Sequence, residues 1–276
     1  MTALLPELPR PGFNFENYHR NEYLNQNGLM KMKATSTGTT IAGCQFKDGV
    51  IIGADQRATA GTTIVEKDCE KIHDLAPNMV FGGAGTAADT DKVSKMIKSQ
   101  LELHRLNSGK EVPVCVAITK ITQHLFRYQG HKGCALVLGG VDKFGKKLVQ
   151  IAPHGSVDPL PFTSMGSGSL AAISVLENGY KEDMEEEEAA ALIRDAITAG
   201  IENDLASGSS VDLCIIKKGS KKVIRTYYTP PSVGGSAKFP GMKFKPGTTP
   251  ILESKTIKIE IEDERVQKIS EPMDTA

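Results

Sequence analysis

β-favouring runs closed by short turns, interrupted twice by a pair of helical segments, leave this chain few architectures. Residues 39–46 and 50–54 are joined by Lys47-Asp48-Gly49, and Asp-Gly between two such runs closes a hairpin. Further strands are expected at 62–65, 79–83, 135–141, 148–151, 213–216 and 223–227, with Asp142-Lys143-Phe144-Gly145 and Lys218-Gly219-Ser220 as turns. Helical periodicity marks 87–106, where Val93, Met96, Ile97 and Leu101 share a face. Thr86 with Asp89 suggests its N-cap, and Asn107-Ser108-Gly109 its stop. Other helices are expected at 113–129, 169–178 and 184–203, the last opening on the acidic run from Glu185 to Glu188, which suits the helix dipole. Hairpins imply antiparallel sheets, and two separated helix pairs imply two helical layers. The fold expected is α+β, two antiparallel sheets packed face to face with helices outside each.

The flanks differ from this centre. Residues 1–38 place Asn14, Asn21, Asn25, Gln26 and Asn27 among prolines and glycines with no lasting period, so a loose arm is expected. Beyond Thr229, Pro230, Pro231, Pro240, Pro246 and Pro250 preclude regular structure at first. Ile257, Ile259 and Ile261 then alternate with Lys258, Glu260 and Glu262 as an edge strand does. Such a segment either packs on a neighbour or returns to its own domain. Three parts follow: 1–38, 39–228 and 229–276.

Composition narrows the function. The 276 residues carry 33 basic and 33 acidic side chains, and that balance argues against a protein that tracks nucleic-acid phosphates. No apolar run approaches the ~18–20 residues that span a bilayer, and the N-terminus lacks a signal-peptide pattern. Five scattered cysteines without C-x-x-C fit reduced thiols in the cytoplasm or nucleus.

Several chemistries are then set aside. The turns Phe81-Gly82-Gly83-Ala84-Gly85-Thr86 and Met165-Gly166-Ser167-Gly168-Ser169 match no phosphate-loop pattern. They still offer backbone N–H groups at helix starts, which suit an oxyanion. There is no G-x-S-x-G elbow, and the six histidines occur without metal-ligand spacing, so no metal and no cofactor are expected. A hydroxyl activated by the amine of its own residue needs neither histidine nor metal. An α-amine, with pKa ~7.7–8, suits proton transfer near neutrality. Such a nucleophile must be unmasked by a cut before it, and glycine at Gly38-Thr39 permits the strained turn required.

Six separated motifs carry a resemblance. Thr37-Gly38-Thr39-Thr40-Ile41-Ala42-Gly43, Gly53-Ala54-Asp55, Lys71-Ile72-His73, Gly83-Ala84-Gly85-Thr86-Ala87-Ala88-Asp89, Gly166-Ser167-Gly168-Ser169 and Asn203-Asp204-Leu205-Ala206-Ser207-Gly208-Ser209 follow in order and spacing. From about Phe13 onward the chain resembles the trypsin-like (beta-2 type) catalytic β subunits of the eukaryotic 20S proteasome. That family implies a four-layer αββα N-terminal-nucleophile hydrolase, with residues 1–38 a propeptide removed by autocleavage at Gly38. Thr39 is then the nucleophile, its new amine the base, Lys71 the cation beside the hydroxyl and Asp55 the partner of Lys71. The Gly85 N–H forms the oxyanion hole, and Ser167, Asp204 and Ser207 surround the amine. Thr59 and Gly85 grip the peptide as an added strand.

The resemblance also implies a pocket. Gly83 leaves it open, Cys69 and Ala87 line it, and Asp91 at its far end pairs with a substrate Lys or Arg. Gln56 departs from the family, which commonly has Thr there, but leaves the nucleophile set intact. The partners implied are the other α and β subunits of a 28-subunit barrel, the adjacent β subunit embraced by the C-terminal tail, unfolded polypeptide substrates, assembly chaperones and regulatory caps. Neither nucleic acid nor membrane is expected as a partner. The alternatives are a non-catalytic ring subunit of the same particle, or a different N-terminal-nucleophile amidohydrolase. Thr39, Asp55, Lys71 and Gly38 together weigh against the first; the propeptide and tail matches weigh against the second.

Overall fold

The computed structural model describes residues 15–27, 37–231 and 253–258. The chain divides into two units, Met1–Pro231 and Ser232–Ala276. In the first, a helix α1 (Glu16–Gln26) precedes strands β1 (Thr40–Phe46), β2 (Gly49–Asp55), β3 (Ala58–Ala60), β4 (Thr63–Glu66), β5 (Ile72–Ala76) and β6 (Met79–Gly85). Helices α2 (Ala87–Ser108) and α3 (Val114–Arg127) follow, then β7 (Cys134–Asp142), β8 (Gly145–Ile151), β9 (Val157–Pro159) and β10 (Phe162–Gly166). Helices α4 (Ser169–Gly179) and α5 (Glu186–Asn203) lead to the closing hairpin β11 (Val211–Lys217) and β12 (Ser220–Tyr228).

One sheet runs β10-β1-β2-β11-β12 and the other β5-β6-β7-β8-β9, every pair antiparallel, with β3-β4 a separate hairpin. Three apolar layers hold the stack together. Ile41, Ile52, Val80, Val137 and Leu148 fill the space between sheets. Phe81, Val93, Ile97, Ile121 and Leu125 join the second sheet to α2 and α3. Phe46, Ile51, Leu176, Ile193 and Ile197 join the first sheet to α4 and α5. The period of two is visible in β2, where Ile51 faces helices and Ile52 faces the other sheet. Each such side chain, fully buried, contributes about 1.5–3 kcal/mol of hydrophobic stabilisation. The αββα sandwich expected from the sequence is therefore observed, including the turns at Lys47-Asp48 and Lys218-Gly219.

The structure departs from expectation locally. The arm contains α1, whose polar sequence carries no apolar stripe and so gives no periodic signal. Strands β3, β5, β9 and β10 were not expected, being short, and the last three also carry His73 and Asp74, Pro159 or Gly166. Thr86 is the N-cap residue of α2 but makes no side-chain cap bond; Asp89 instead accepts the Gly133 N–H at 3.2 Å. The α2 stop is as expected, with Gly109 left-handed at φ 64° and its N–H on the Arg105 carbonyl. In the second unit, residues 253–258 carry no regular structure and Ile257 is exposed. Ile259 and Ile261 of the alternating pattern lie outside the described residues. Among the described residues no helix is long and apolar enough to cross a membrane.

Strand ends from both sheets converge on one point. Thr40 pairs with Gly166 and Ile41 with Ala54, so β1 starts where β2 and β10 end. Val211, opening β11, pairs with Asp55. From the second sheet, Thr37 forms an antiparallel bridge to Gly85 at the end of β6, and Lys71 immediately precedes β5. Thr39 lies at this junction.

Candidate active site

Thr39 is almost wholly buried. Its Oγ1 donates to the Gly38 carbonyl at 2.6 Å, and Lys71 Nζ donates to the same oxygen at 2.8 Å. Two donors, one of them a cation, thus polarise the carbonyl that precedes the hydroxyl. Lys71 is held in turn by Asp55 Oδ1 at 2.7 Å, with side-chain exposures of 5% and 0%. The Asp55 carboxylate is buried at the end of β2, and it accepts backbone N–H groups of Thr40 (2.9 Å), Arg57 (3.2 Å) and Gly208 (3.0 Å). A buried ion pair is sustained only where its remaining lone pairs are satisfied in this way.

A second network surrounds the Thr39 backbone nitrogen. That N–H donates to Ser167 Oγ at 3.0 Å, and Ser167 donates to Asp204 Oδ2 at 2.6 Å. Ser207 Oγ also donates to Asp204 Oδ2, at 2.7 Å, and lies 2.7 Å from Thr40 Oγ1. Ser207 therefore meets the site through Thr40 and Asp204, whereas Ser167 touches the nitrogen directly. Partial burial works to raise the Asp204 carboxyl, but bonds from Ser167, Ser207 and the Ala206 N–H, with the Lys71 charge, outweigh it and hold it below the usual range. A depressed carboxyl stabilises the fold in full above its unfolded pKa of ~3.9, and that contribution is lost as pH falls through the lower folded value. Acid titration of folding should show this: the stability gap between wild type and Asp204→Asn stays constant above about pH 5 and closes below about pH 4.

The residues before Thr39 lie like a bound peptide. The Thr37 N–H donates to the Gly85 carbonyl at 3.0 Å, and the Gly38 N–H donates to Thr59 Oγ1 on β3 at 3.0 Å. Gly38 has no room for a side chain, since a Cβ there would stand 2.2 Å from Ala206 Cβ. Gly166, at φ 106°, is equally constrained, because its Cβ would meet the Thr39 carbonyl oxygen at 2.1 Å.

The expected pocket residues are less closely joined. Gly83 donates its N–H to the Lys71 carbonyl at 3.0 Å, and a Cβ on it would strike Thr90 Cγ2 at 2.0 Å. A side chain at position 83 would therefore collide with α2. Ala87 is exposed at the start of α2. Cys69 is half-buried, and burial pushes its thiol up. Asp91 is half-exposed and bound to Lys95 at 2.8 Å, one turn along α2. The Lys95 hydrogen bond holds the Asp91 carboxyl below its usual range.

The structure thus brings Gly38, Thr39, Asp55, Thr59, Lys71, Gly85, Ser167, Asp204 and Ser207 together. It leaves Asp91 in a separate surface ion pair. Sequence reasoning assigned no role to Thr40, Arg57, Gly168 or Gly208, which hold Asp55, Ser207 and the Thr39 carbonyl. Thr40, Gly168 and Gly208 lie inside the motifs and Arg57 two residues after Asp55, and those positions were the available signal. Among the described residues no cluster of three or more His, Cys, Asp or Glu could hold a metal ion.

The chain is also similar in sequence to known proteins. A family profile described as "Proteasome subunit" matches residues 35–216. The chain is 54% identical over 222 residues to "Proteasome subunit beta type-7-B" of Arabidopsis thaliana, covering 80% of this chain and 81% of the relative. It is 48% identical over 265 residues to "Proteasome subunit beta type-7" of Dictyostelium discoideum, covering 94% and 98%. It is 46% identical over 257 residues to "Proteasome subunit beta type-2" of Saccharomyces cerevisiae (strain ATCC 204508 / S288c), covering 92% and 98%.

Proposed function

The chain belongs to the proteasome subunit family, and on that premise we propose that it is a catalytic β subunit of the 20S particle. Its activity is that of a threonine endopeptidase, cutting polypeptides after basic residues in protein degradation. The observation that carries this reading is the Gly38 carbonyl, which accepts from both Thr39 Oγ1 and Lys71 Nζ.

The first reaction is on the chain itself. Oγ1 of Thr39 adds to the Gly38 carbonyl carbon, closing a five-membered ring, while its proton passes to the departing nitrogen. Lys71 and the Gly85 N–H stabilise the charge that develops on the Gly38 oxygen, a contribution of several kcal/mol at such sites. The C–N bond breaks, leaving Gly38 as an ester on Oγ1. Water hydrolyses the ester, and residues 1–38 leave with a carboxylate on Gly38. The nitrogen formerly bonded to Ser167 becomes a free amine, which Ser167 and Asp204 orient as general base for the next attack.

A substrate then takes the place vacated by Thr37 and Gly38. Its backbone pairs with Gly85 and Thr59, contacts that are weakly selective for sequence. Selectivity falls to Asp91, where a substrate Lys or Arg exchanges with Lys95 as the partner of the carboxylate. Thr39 opens the working domain, the tail of 229–276 clasps the neighbouring β subunit, and the particle works in cytoplasm and nucleus with caps and assembly chaperones. Asp91→Asn tests the specificity in assembled particles. KM for peptides with Lys or Arg before the cut should rise about tenfold, with kcat and the cleavage of other peptides unchanged. An unchanged preference would remove Asp91 from the account.

A further inference from the structure

We propose that Gln56, Asp212 and Arg225 form a positioning network that sets Lys71 against Gly38 and Thr39, acting on the reaction through Lys71 without touching substrate. This rests on the assignment of Thr39 as nucleophile and Lys71 as its cation.

Gln56 is buried directly after Asp55 and links the Gly208 turn, the stretch before Lys71 and the β11–β12 hairpin. Its N–H donates to the Gly208 carbonyl at 3.3 Å, and the Gly208 N–H returns to Asp55 Oδ2 at 3.0 Å. Its own carbonyl accepts the Cys69 N–H at 2.9 Å, two residues before Lys71. Its side chain turns the other way, with Nε2 donating to Asp212 Oδ1 at 2.6 Å and to Thr226 Oγ1 at 3.2 Å.

Asp212 is the fixed point behind this strap. Its carboxylate is 2% exposed, and it also accepts the Thr226 N–H at 2.8 Å and Arg225 Nη1. The Arg225 fork continues to Asp68, binding both its carboxylate and, at 3.1 Å, its backbone carbonyl. Two routes therefore run from Asp212 to the stretch before Lys71, one through Gln56 to Cys69 and one through Arg225 to Asp68. That stretch has few other ties: residues 67–71 belong to no strand, and Lys67, Asp68 and Glu70 are exposed.

The backbone is bent to serve the same contacts. Thr226 sits at φ 52°, a left-handed conformation that a β-branched residue rarely adopts. The β11–β12 register breaks between Val211 and Leu213. Irregularities of this kind re-aim side chains beside active sites, and here the Arg225 guanidinium and the Thr226 N–H converge on one carboxylate. The network lies off the reacting atoms, and a displacement of Lys71 by about 1 Å is enough to cost up to 10²-fold in rate.

The test uses assembled particles carrying the full chain with Gln56→Met, which keeps the length and the backbone bonds but removes the donor. Activity is read on a peptide with Lys or Arg before the cut. The expected result is a kcat per assembled site about tenfold lower, KM within twofold of wild type, and cleavage at Gly38 slowed by the same factor. A merely structural role would lower particle yield and leave kcat per site unchanged. Arg225→Lys breaks the fork between Asp212 and Asp68 on a side chain already 35% exposed, and should give the same split. It decides the matter if Gln56→Met does not assemble. Wild-type kcat in an assembled variant, or a change confined to KM, would overturn the proposal. Thr39→Ala in the same particle separates the two assignments. Persistent basic-site cleavage there removes the nucleophile itself, whereas its loss beside a fully active Gln56→Met removes only the positioning network.

Discussion

Thr39→Ala is expected to leave residues 1–38 attached and to lower cleavage after Lys or Arg by 10³-fold or more, on the order seen when a catalytic nucleophile is removed. Both losses have one cause. The hydroxyl that donates to the Gly38 carbonyl at 2.6 Å is the group that must attack it, and later the group that attacks substrate. Lys71, Ser167 and Thr59 keep their bonds to Gly38 and to the Thr39 nitrogen, so folding and assembly should survive. Thr39→Ser retains the hydroxyl and should process and cleave, only more slowly. Intact mass reports the first loss and peptide turnover the second. Processing that persists in Thr39→Ala would show that another residue, or another chain, makes the cut.

Lys71→Met should damage stability and chemistry together. Asp55 would keep its three backbone donors but lose the only cation within its ion pair. Stranding a buried carboxylate costs about 3–5 kcal/mol, which for a domain of this size lowers the melting temperature by about 10 °C. The Gly38 carbonyl also loses its charged donor, so self-cleavage and peptide turnover should fall about 10²–10³-fold. Adding Asp55→Asn removes the stranded charge. The double variant should recover most of the melting temperature and none of the activity, by thermal unfolding and turnover of the same preparations. Equal melting of single and double variants would mean that the Lys71–Asp55 pair does not carry the electrostatic role assigned to it.

Much of this was legible in the sequence because local chemistry and global fold agree there. Lys47-Asp48-Gly49 specifies a hairpin whatever surrounds it, and the α2 stripe of Val93, Ile97 and Leu101 does face the core. The order of hairpins and helix pairs then leaves the sandwich as the arrangement that buries every apolar face. Thr39, Asp55 and Lys71 were legible through joint spacing, since each alone is an ordinary strand-end residue.

Part of what stayed hidden depends on contacts remote in sequence. Gln56 looked like a neutral departure, yet its partner Asp212 lies on a strand that returns only after both helix pairs. Strand β10 has no apolar alternation of its own, and forms because β1 offers it an edge. Gly83 must lack a side chain because Thr90 packs against it, a contact that a glycine does not announce in the sequence. Asp91 carries a charge that suits a basic substrate, while its pairing with Lys95 follows from helix spacing that satisfies both residues without one.

Activity requires that the bond between Gly38 and Thr39 be cut, and the intact mass of this subunit in assembled particles tests that most directly. The expected result is a chain that begins at Thr39 with a free amine, residues 1–38 having been lost by a single cut. A chain that still carries residues 1–38 in mature, peptide-cleaving particles would contradict it, because Thr39 could then have neither its base nor an open cleft.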